Sequence, residues 1–513
     1  MPSQTPGNPP AVQSHDPAPP PAALLRRHNA VVLEPALALQ LPGQKLRPTV
    51  YVADRLLIAF RPDGTPDDVA RDYVKKAAGA EGLVVAVTPR DGYELAAFAP
   101  PMTVPAAVDA WRVLQTARGL AAQQKLTLDG VGLDHLVQVS APVSGAPFDS
   151  SNRPPPLAGA SVYDRAPVAW AGPAPVLPDP VPGTRSPVVA LVDTGCAPHP
   201  WLPDSVVTRN PGADGVPAGL PDAGQDGQPD VLGPLDGHID TFFGHGTFSA
   251  GLVRQVCPQA RVLSVRLLGP DGAATESDLV SALRRIHALV LAAQTLPGTG
   301  QPVDVLSLSC GFYPESLTGL ASSALTRVLG DLARIGVTVV AAAGNDATTR
   351  ERMPALLTPY SGGVTAPAAR GGDVPLISAG ALNPDGTIAL FSNTSGPGGW
   401  VCEFAPGAAL VSAMPAADAG ANPPYSRPDP AGGTRADLDP DHFGAERRPD
   451  SDGRDAAAFA RWSGTSFAAP VIASRIARAL PPILSTSDSS GAQVAAVARA
   501  WTAIGSAIRR YAP

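Results

Sequence analysis

Lysine and cysteine are both scarce in this chain. Of its 38 basic residues only four are lysines, and 45 acidic residues leave a formal net charge of −7, so the composition does not indicate a surface for nucleic acid. The four cysteines, at positions 196, 257, 310 and 402, form no CxxC pair, which argues against a metal cluster. Their even number permits two disulfides, but a chain of 513 residues can bury a core without them, and we expect free thiols.

Long apolar segments are absent as well. No stretch of about 18 apolar residues without a charge occurs, so no membrane-spanning helix and no membrane partner are expected. The first thirty residues contain no apolar run after a basic start, and a secretory signal is therefore not predicted. On this basis we expect a cytoplasmic protein.

Proline and glycine, by contrast, are abundant. With 60 and 51 residues they make up roughly 22% of the chain, against about 12% in average proteins. Residues 1–48 are predicted to be a disordered Pro-rich leader and 141–185 a Pro-rich linker, because neither segment has an apolar periodicity. Segments 203–240 and 415–458 are predicted to be long loops.

A small α+β module is predicted for residues 49–140. Its first helix is expected to begin at 65–68, with Val69 and Ala77 on one face, and its second helix carries Trp111. Apolar strands are indicated at 55–60, 83–87, 93–98 and 136–139. The resulting order, βαββαβ, is that of a ferredoxin-like module.

The remaining residues, 186–513, alternate apolar strands with helices. Strands are predicted at 188–192, 261–265, 303–306 and 337–343, and helices near 276–296, 319–335, 466–480 and 491–511. Strands that are apolar on both faces belong to parallel sheets covered by helices. We therefore predict an α/β domain whose ligands bind at the carboxyl ends of the strands.

Four polar residues lie at such strand ends or among small residues. Asp193 follows the strand at 188–192, and Asn345 follows the strand at 337–343. His245 lies in GHGTFSAG and Ser466 in SGTSFAAP, where small neighbours let another backbone approach and a helix start offers N–H donors to an oxyanion. Each residue also has an ordinary interpretation: a turn acid or N-cap, a turn asparagine, a structural histidine and an N-cap serine.

The order of these residues is nevertheless distinctive. Asp, His and Ser follow one another as in subtilisins, and not as in chymotrypsin or the α/β-hydrolases. Further motifs in the same domain are VDTG at 192–195, LSLSCG at 306–311, AAAGND at 341–346, and the segments 199–202, 391–393 and 405–407. With these motifs, residues 186–513 resemble the subtilases, the subtilisin-like serine proteases.

The resemblance implies a subtilisin-like α/β fold and a role for each residue. Ser466 would be the nucleophile, His245 the general base, and Asp193 the carboxylate that fixes the imidazole tautomer. Asn345 would donate its amide to the oxyanion beside the backbone N–H of Ser466. The substrate cleft would be lined by Ser309, Cys310, Gly311, Ala343 and Gly344, the first three as an edge that pairs with an extended peptide.

No cofactor is needed for this chemistry, and no metal ligand is predicted at the site. Structural calcium is frequent among subtilases, and acidic residues of the first long loop are candidate ligands. Solvated loop acids are the alternative interpretation of this group. Its members are Asp214, Asp222, Asp226, Asp230 and Asp236.

The order of module, linker and protease-like domain indicates a form of regulation. The module at 49–140 resembles the prodomain that subtilases use as folding chaperone and inhibitor, which implies an intramolecular inhibitor and processing within 141–185. A permanent docking domain is the alternative. The expected function is that of a serine endopeptidase acting on protein or peptide substrates. The alternatives are a cytoplasmic effector protease of narrow specificity activated by a regulatory protein partner, and a non-catalytic binding protein on a protease scaffold.

Overall fold

The computed structural model describes most of the chain in segments. These segments are residues 15–102, 107–139, 165–168, 171–179, 181–213, 215–220, 240–296, 298–358, 373–395, 399–415, 427–429, 433–435, 458–480, 484 and 492–508.

The N-terminal elements form a sheet with two helices on one face. They are α1 (Ala22–Arg27), β1 (Ala30–Leu33), β2 (Thr49–Ala59), α2 (Asp68–Ala80), β3 (Val84–Arg90), β4 (Tyr93–Ala99), α3 (Ala110–Gln123) and β5 (Val131–Val139). From β2 onward the element order is βαββαβ, and the antiparallel strands lie in the order β5-β2-β4-β3. Apolar side chains of α2 and α3 form one core with this sheet.

Helix α2 begins later than the sequence pattern predicted. Thr65 does not cap it, because its hydroxyl donates to Asp63 at 2.6 Å in the preceding turn. Asp67 is the N-cap instead, and its carboxylate accepts from the N–H of Ala70 at 3.1 Å. Val69 is consequently 45% exposed, and the buried face consists of Ala70, Val74, Ala77 and Ala78.

The prediction of a disordered leader is wrong for residues 15–48. Strand β1 pairs antiparallel with β2, with Ala30 opposite Val52, and Leu33 is buried in the core of the module. Ordering the leader costs conformational entropy, and the burial of a few apolar side chains offsets this cost. The Pro-rich composition alone does not indicate this burial. Residues 1–14 lie outside the described residues.

The larger domain is built on a parallel sheet. Its elements are β6 (Ala166–Val168), β7 (Val188–Asp193), β8 (Val207–Arg209), β9 (Gly212–Ala213), β10 (Val216–Pro217), α4 (His245–Val256), β11 (Arg261–Arg266), β12 (Ala273–Thr275), α5 (Glu276–Thr295), β13 (Val305–Leu308), β14 (Cys310–Gly311), α6 (Ala324–Arg334), β15 (Thr338–Ala342), β16 (Ile377–Leu382), β17 (Glu403–Pro406), β18 (Leu410–Met414), β19 (Arg427–Asp429), β20 (Gly433–Arg435), β21 (Ala458–Trp462), α7 (Thr465–Ala479) and α8 (Ala492–Ala507). Two 3₁₀ turns span Leu320–Ser322 and Ala355–Leu357. The parallel sheet has the order β17-β16-β15-β13-β7-β11-β8, which agrees with the predicted α/β architecture.

Helices cover this sheet on both faces. Along β7, Val189 and Leu191 belong to the core that α4, α7 and α8 form, whereas Val188, Ala190 and Val192 belong to the core that α5 and α6 form. Because successive side chains of a strand point to opposite faces, a strand buried on both sides is apolar throughout. This pattern is the reason why the central strands could be recognised in the sequence.

Parts of the predicted linker and loops are regular structure. Near the middle of the linker, β6 pairs with β21, and Arg165 donates to the carbonyl of Phe243 at 3.0 Å. The first loop contributes β8, the edge strand of the parallel sheet, and the second contains the hairpin of β19 and β20. These strands are only three residues long, and β6 and β8 pair with residues that are distant in the chain, so local composition indicated only loops. Residues 140–164, 221–239 and 436–457 lie outside the described residues.

Candidate active site

Asp193 lies at the point where the winding of the parallel sheet reverses. It is the last residue of β7, which has β11 on one side and β13 on the other. The carboxyl ends of strands form a crevice at such a point. Ser309, which directly follows β13, lies at the same edge of the sheet.

His245 is the first residue of α4 and faces this edge. Gly244 caps the helix with a φ of 74°, a left-handed conformation that favours glycine. A Cβ at Gly246 would collide with the carbonyl oxygen of Gly195. The glycines that flank His245 therefore allow α4 to approach the end of β7.

Asp193, His245 and Ser466 form a continuous chain of hydrogen bonds. The Nδ1 of His245 lies 2.6 Å from Oδ1 of Asp193, and its Nε2 lies 2.9 Å from Oγ of Ser466. All three residues are at most 2% exposed. Because a carboxylate only accepts hydrogen bonds, Nδ1 carries the proton and Nε2 accepts from the serine hydroxyl. A serine aligned with a basic nitrogen in this way can be deprotonated as it attacks an electrophile.

Two further donors hold the carboxylate of Asp193. The N–H of Thr194 donates to Oδ1 at 2.8 Å, and the hydroxyl of Ser249 donates to Oδ2 at 3.3 Å. Sequence reasoning missed Ser249, although it stands four residues after His245 and therefore on the same face of α4. The imidazole itself packs against the ring of Phe467, with centroids 4.7 Å apart.

Asn345 is oriented by the residue that precedes Ser466. Its Oδ1 accepts from both the N–H and the hydroxyl of Thr465, each at 2.9 Å. The Nδ2 end of the amide borders Ser466, because a Cβ placed on Gly464 would lie 3.3 Å from Nδ2 and 2.8 Å from Oγ of Ser466. An amide N–H beside the serine oxygen can donate to an oxyanion that forms there.

The remaining predicted site residues lie around this centre. The hydroxyl of Ser309 donates to the carbonyl of Ser466 at 3.1 Å. The N–H of Gly344 donates to Oγ1 of Thr465 at 3.0 Å, and the carbonyl of Ala343 accepts from Nδ2 of Asn393 at 2.9 Å. The contact of Gly344 ties the loop after β15 to the start of α7, and that of Ser309 ties the end of β13 to the same helix.

The edges of β12 and β14 flank a groove, and β5 of the N-terminal module fills it. Strand β14 directly follows Ser309, whose hydroxyl contacts Ser466. Gln138 is paired with Ala273 of β12 on one side and with Gly311 of β14 on the other, and Val139 is paired with Cys310. The N–H of Val139 also donates to the carbonyl just before β12 at 2.8 Å. Cys310 is fully buried, and burial raises the pKa of its thiol to about 12.

A buried ionic cluster joins β5 to the larger domain next to this groove. The imidazole of His135 lies 2.6 Å from Glu276 and 2.9 Å from Glu315. Burial opposes the charged form of His135, but the hydrogen bonds that its imidazole donates to both glutamates outweigh this effect and raise its pKa to about 10. The neighbouring Asp134 accepts from the N–H and the hydroxyl of Ser277, and burial nevertheless raises its pKa to about 7.

The described residues contain no group of three or more metal-ligating side chains close enough to hold an ion. The five aspartates proposed as calcium ligands lie outside the described residues. No helix in the described part of the chain is long and apolar enough to cross a membrane. The four cysteines are buried and are not joined by disulfides.

Comparisons with known proteins point to one family. The model of the subtilase family matches residues 184–498. The "Thermophilic serine proteinase" of Bacillus sp. (strain AK1) is 28% identical over 233 residues, which are 45% of this chain and 46% of that protein. This chain thus spans about half the length of the curated relative that it matches.

Two solved structures are similar at lower identity. Fervidolysin from Fervidobacterium pennivorans, described as a keratinolytic enzyme related to subtilisin, is 16% identical with a TM-score of 0.44, covering 86% of this chain and 56% of that chain. A mutant of the protease domain of PatA is 20% identical with a TM-score of 0.35, covering 59% of this chain and 82% of that chain.

Proposed function

Because the chain belongs to the subtilase family, we propose that it is a serine endopeptidase with Asp193, His245 and Ser466 as its catalytic triad. The observation that carries this proposal is the chain of hydrogen bonds from Asp193 through His245 to Ser466, at 2.6 and 2.9 Å. The tautomer that these bonds impose is the one in which the imidazole accepts the serine proton.

The proposed reaction proceeds through an acyl-enzyme. The Oγ of Ser466 attacks the peptide carbonyl carbon while Nε2 of His245 takes the hydroxyl proton. The Nδ2 of Asn345 and the backbone N–H of Ser466 stabilise the resulting oxyanion. The C–N bond then breaks as His245 returns the proton to the leaving amine, which leaves an ester on Ser466.

Water then hydrolyses the ester by equivalent steps, in which water is the attacking group and Ser466 is the leaving group. His245 takes a proton from water, the hydroxide oxygen attacks the ester, and the bond from the carbonyl carbon to Oγ breaks. Ser466 recovers its proton from His245, and a carboxylic acid leaves. Asp193 stabilises the imidazolium in both halves. This scheme uses only side chains, backbone N–H groups and water, so it requires no cofactor.

We also propose that residues 49–140 are a ferredoxin-like, prodomain-like module that inhibits the protease. The strand order β5-β2-β4-β3 supports the first part of this proposal. The second part rests on β5, whose residues 136–139 pair with an edge on each side of the groove, as an extended substrate would by strand addition. Ser309, Cys310, Gly311, Ala343 and Gly344 would line the same groove for a substrate.

Labelling with a fluorophosphonate probe, which reacts with activated serines, tests the assignment of the nucleophile. The wild-type chain should become labelled over a time course, whereas Ser466→Ala should remain unlabelled with an unchanged melting temperature. Ser474→Ala is a matched control, because it removes a buried hydroxyl of the same helix that donates only locally, to the carbonyl of Pro470. Equal labelling of wild type and Ser466→Ala would overturn the proposal.

A further inference from the structure

Residues 15–28 of the leader cross over the groove that β5 fills, and we call this segment the clasp. At its start, Nε2 of His15 donates to the carbonyl of Asp346 at 2.9 Å. Asp346 accepts from the hydroxyl of Tyr313, two residues after β14. At its end, the clasp reaches Asp271, two residues before β12. The two ends therefore lie on opposite sides of the groove.

The first end of the clasp is fixed by a buried arginine. The guanidinium of Arg350 is paired with Asp16 at 2.9 Å, and the side chain of Arg350 is only 2% exposed. The hydroxyl of Thr348 donates to the carbonyl of His15 at 2.7 Å. A buried cation that loses its carboxylate would remain partly uncompensated, so this pairing favours the bound clasp.

The second end of the clasp is fixed by a carboxylate at the edge of the groove. Oδ2 of Asp271 accepts from Arg27 at 3.1 Å and from His28 at 3.0 Å, and its side chain is 9% exposed. Burial favours the neutral form of Asp271, but these two donors outweigh it and lower the pKa. Oδ1 of the same residue accepts from the N–H of Ala273, the first residue of β12, at 3.2 Å. The clasp is thus bonded to the residue that positions one wall of the groove.

Between its ends the clasp touches β5 directly. Leu24 and Leu25 pack with Leu136 of β5 and Ala273 of β12 in one apolar cluster. Elsewhere a cavity of about 670 Å³ separates the clasp from Val139. Downstream of the clasp, β1 is paired with β2 of the module. The segment therefore contacts both the inhibitory strand and the domain that the strand inhibits.

We propose that the clasp is a second inhibitory element, which holds β5 in the groove and must be displaced before the groove opens. The inference rests on the proposed function, in which β5 is the inhibitor. A strand under a segment that is anchored on both sides can leave only when at least one anchor has broken. Each anchor also keeps the other close to its partner, because the second contact within one chain forms at a high effective concentration.

Hydrogen exchange in the Ser466→Ala chain, which removes the proposed nucleophile, tests the clasp without any need for catalysis. Arg27→Gln combined with His28→Gln removes the anchor at Asp271, and Asp16→Asn removes the anchor at Arg350; none of these substitutions replaces a residue of β5, β12 or β14. We expect the amides of residues 136–139 to exchange at least about tenfold faster in either variant. Amides of β3, which lies at the far edge of the module sheet, should keep their rates.

Arg26→Gln is the matched control for the charge change. Arg26 belongs to the same helix, is exposed and has no ion pair with a described residue, so exchange in β5 should not change. Unchanged exchange at 136–139 in both anchor variants would overturn the clasp. Fluorophosphonate labelling of the same variants with Ser466 restored separates the two proposals. Faster labelling supports the clasp, whereas no labelling of any variant would refute the proposed function and leave the exchange result standing.

Discussion

At the scale of single residues, Thr465 fixes the orientation of the Asn345 side chain. The carboxamide of Asn345 has its oxygen occupied by two donors from Thr465, so its nitrogen is directed to the side of Ser466. The hydroxyl of Thr465 in turn accepts from the N–H of Gly344. One threonine thus connects the nucleophile, the amide donor and the loop after β15.

Asn345→Ala should lower kcat with little change in KM, because the amide acts on the oxyanion and not on the bound substrate. The expected loss is about 10²- to 10³-fold, the magnitude measured for the corresponding donor of a subtilisin. Thr465→Val should lower kcat less, and Thr465→Ser, which retains the hydroxyl, should restore it. Steady-state kinetics on a peptide amide provide the measurement. A change confined to KM would count against the role of Asn345.

Four residues of the candidate site stand out in the sequence because their surroundings are chemically specific, and the structure brings them together. Gly244 and Gly246 are required by a left-handed cap and a close backbone contact, and such glycines mark His245 in the sequence. Ser249 could not be recognised in the same way. A serine in a helix has many possible partners, and only the packing of α4 on β7 brings it to Asp193.

The docking of β5 on the larger domain depends on the charged side chain of His135. Its imidazole lies between two buried glutamates of the larger domain, and removing it would deprive both carboxylates of this hydrogen-bond donor. His135→Gln should therefore weaken docking of the module by about 3–5 kcal/mol. Arg112→Gln, which breaks a surface pair with Glu81 at a 63% exposed arginine, should change it by about 0–1 kcal/mol. Hydrogen exchange of the β5 amides in the Ser466→Ala chain measures both changes in docking free energy. Equal changes for the two variants would contradict the role of His135 in docking.

Docking of β5 should also depend on pH. The pKa of His135 is raised to about 10, so its contribution is complete below the ordinary histidine pKa and is lost as the pH rises through about 10. Burial raises the pKa of Asp134 to about 7, so this residue adds a cost that grows between the ordinary aspartate pKa and about pH 7 and is constant above it. Burial opposes ionisation of Glu315, but His135 and Arg118 outweigh it and lower its pKa, so its contribution is lost in acid.

Exchange of the β5 amides measured from pH 5 to 10 and corrected for the intrinsic rate tests this dependence. Protection should fall towards alkaline pH in the Ser466→Ala chain. In His135→Gln this alkaline loss should disappear, because the cost from Asp134 has already reached its full value near pH 7. A protection factor that is independent of pH in both chains would contradict the proposed dependence of docking on His135 and Asp134.

At the scale of elements, the sequence predicts the central strands and α5 but not the short strands that pair with distant residues. The central strands were found because both faces of each are buried, and α5 begins at the predicted residue with a capping box from Thr275 and Asp278. The leader, β8 and the pairing of β5 could not be found. Their positions depend on partners that are far away in the chain, and short segments have no periodicity of their own that could indicate them.

At the scale of the whole molecule, β5 is a strand of the module sheet and also pairs with β12 and β14 of the larger domain. If the module is an inhibitory prodomain, the purified wild-type chain should be cut within 141–185, whereas Ser466→Ala should stay at full length. Intact mass spectrometry of the two chains measures this difference. The separated module should inhibit the processed enzyme, because β5 would return to the groove by strand addition.

His135→Gln in the added module is the control for that titration and should inhibit less well. Wild-type enzyme that is uncut, fully active and insensitive to the added module would refute the inhibitory role. The module would then be a permanent docking domain, as the alternative from the sequence states.

The burial of all four thiols makes this chain suited to observation one molecule at a time. Burial raises the pKa of Cys257 and Cys310 to about 12, and a thiol that stays protonated reacts slowly with maleimide dyes. Cysteines introduced at Val84 on β3, 52% exposed, and at Val494 on α8, 84% exposed, would therefore take up a donor and an acceptor dye while the native thiols remain unlabelled. Energy transfer between the two dyes would then follow the departure of the module from the larger domain in real time.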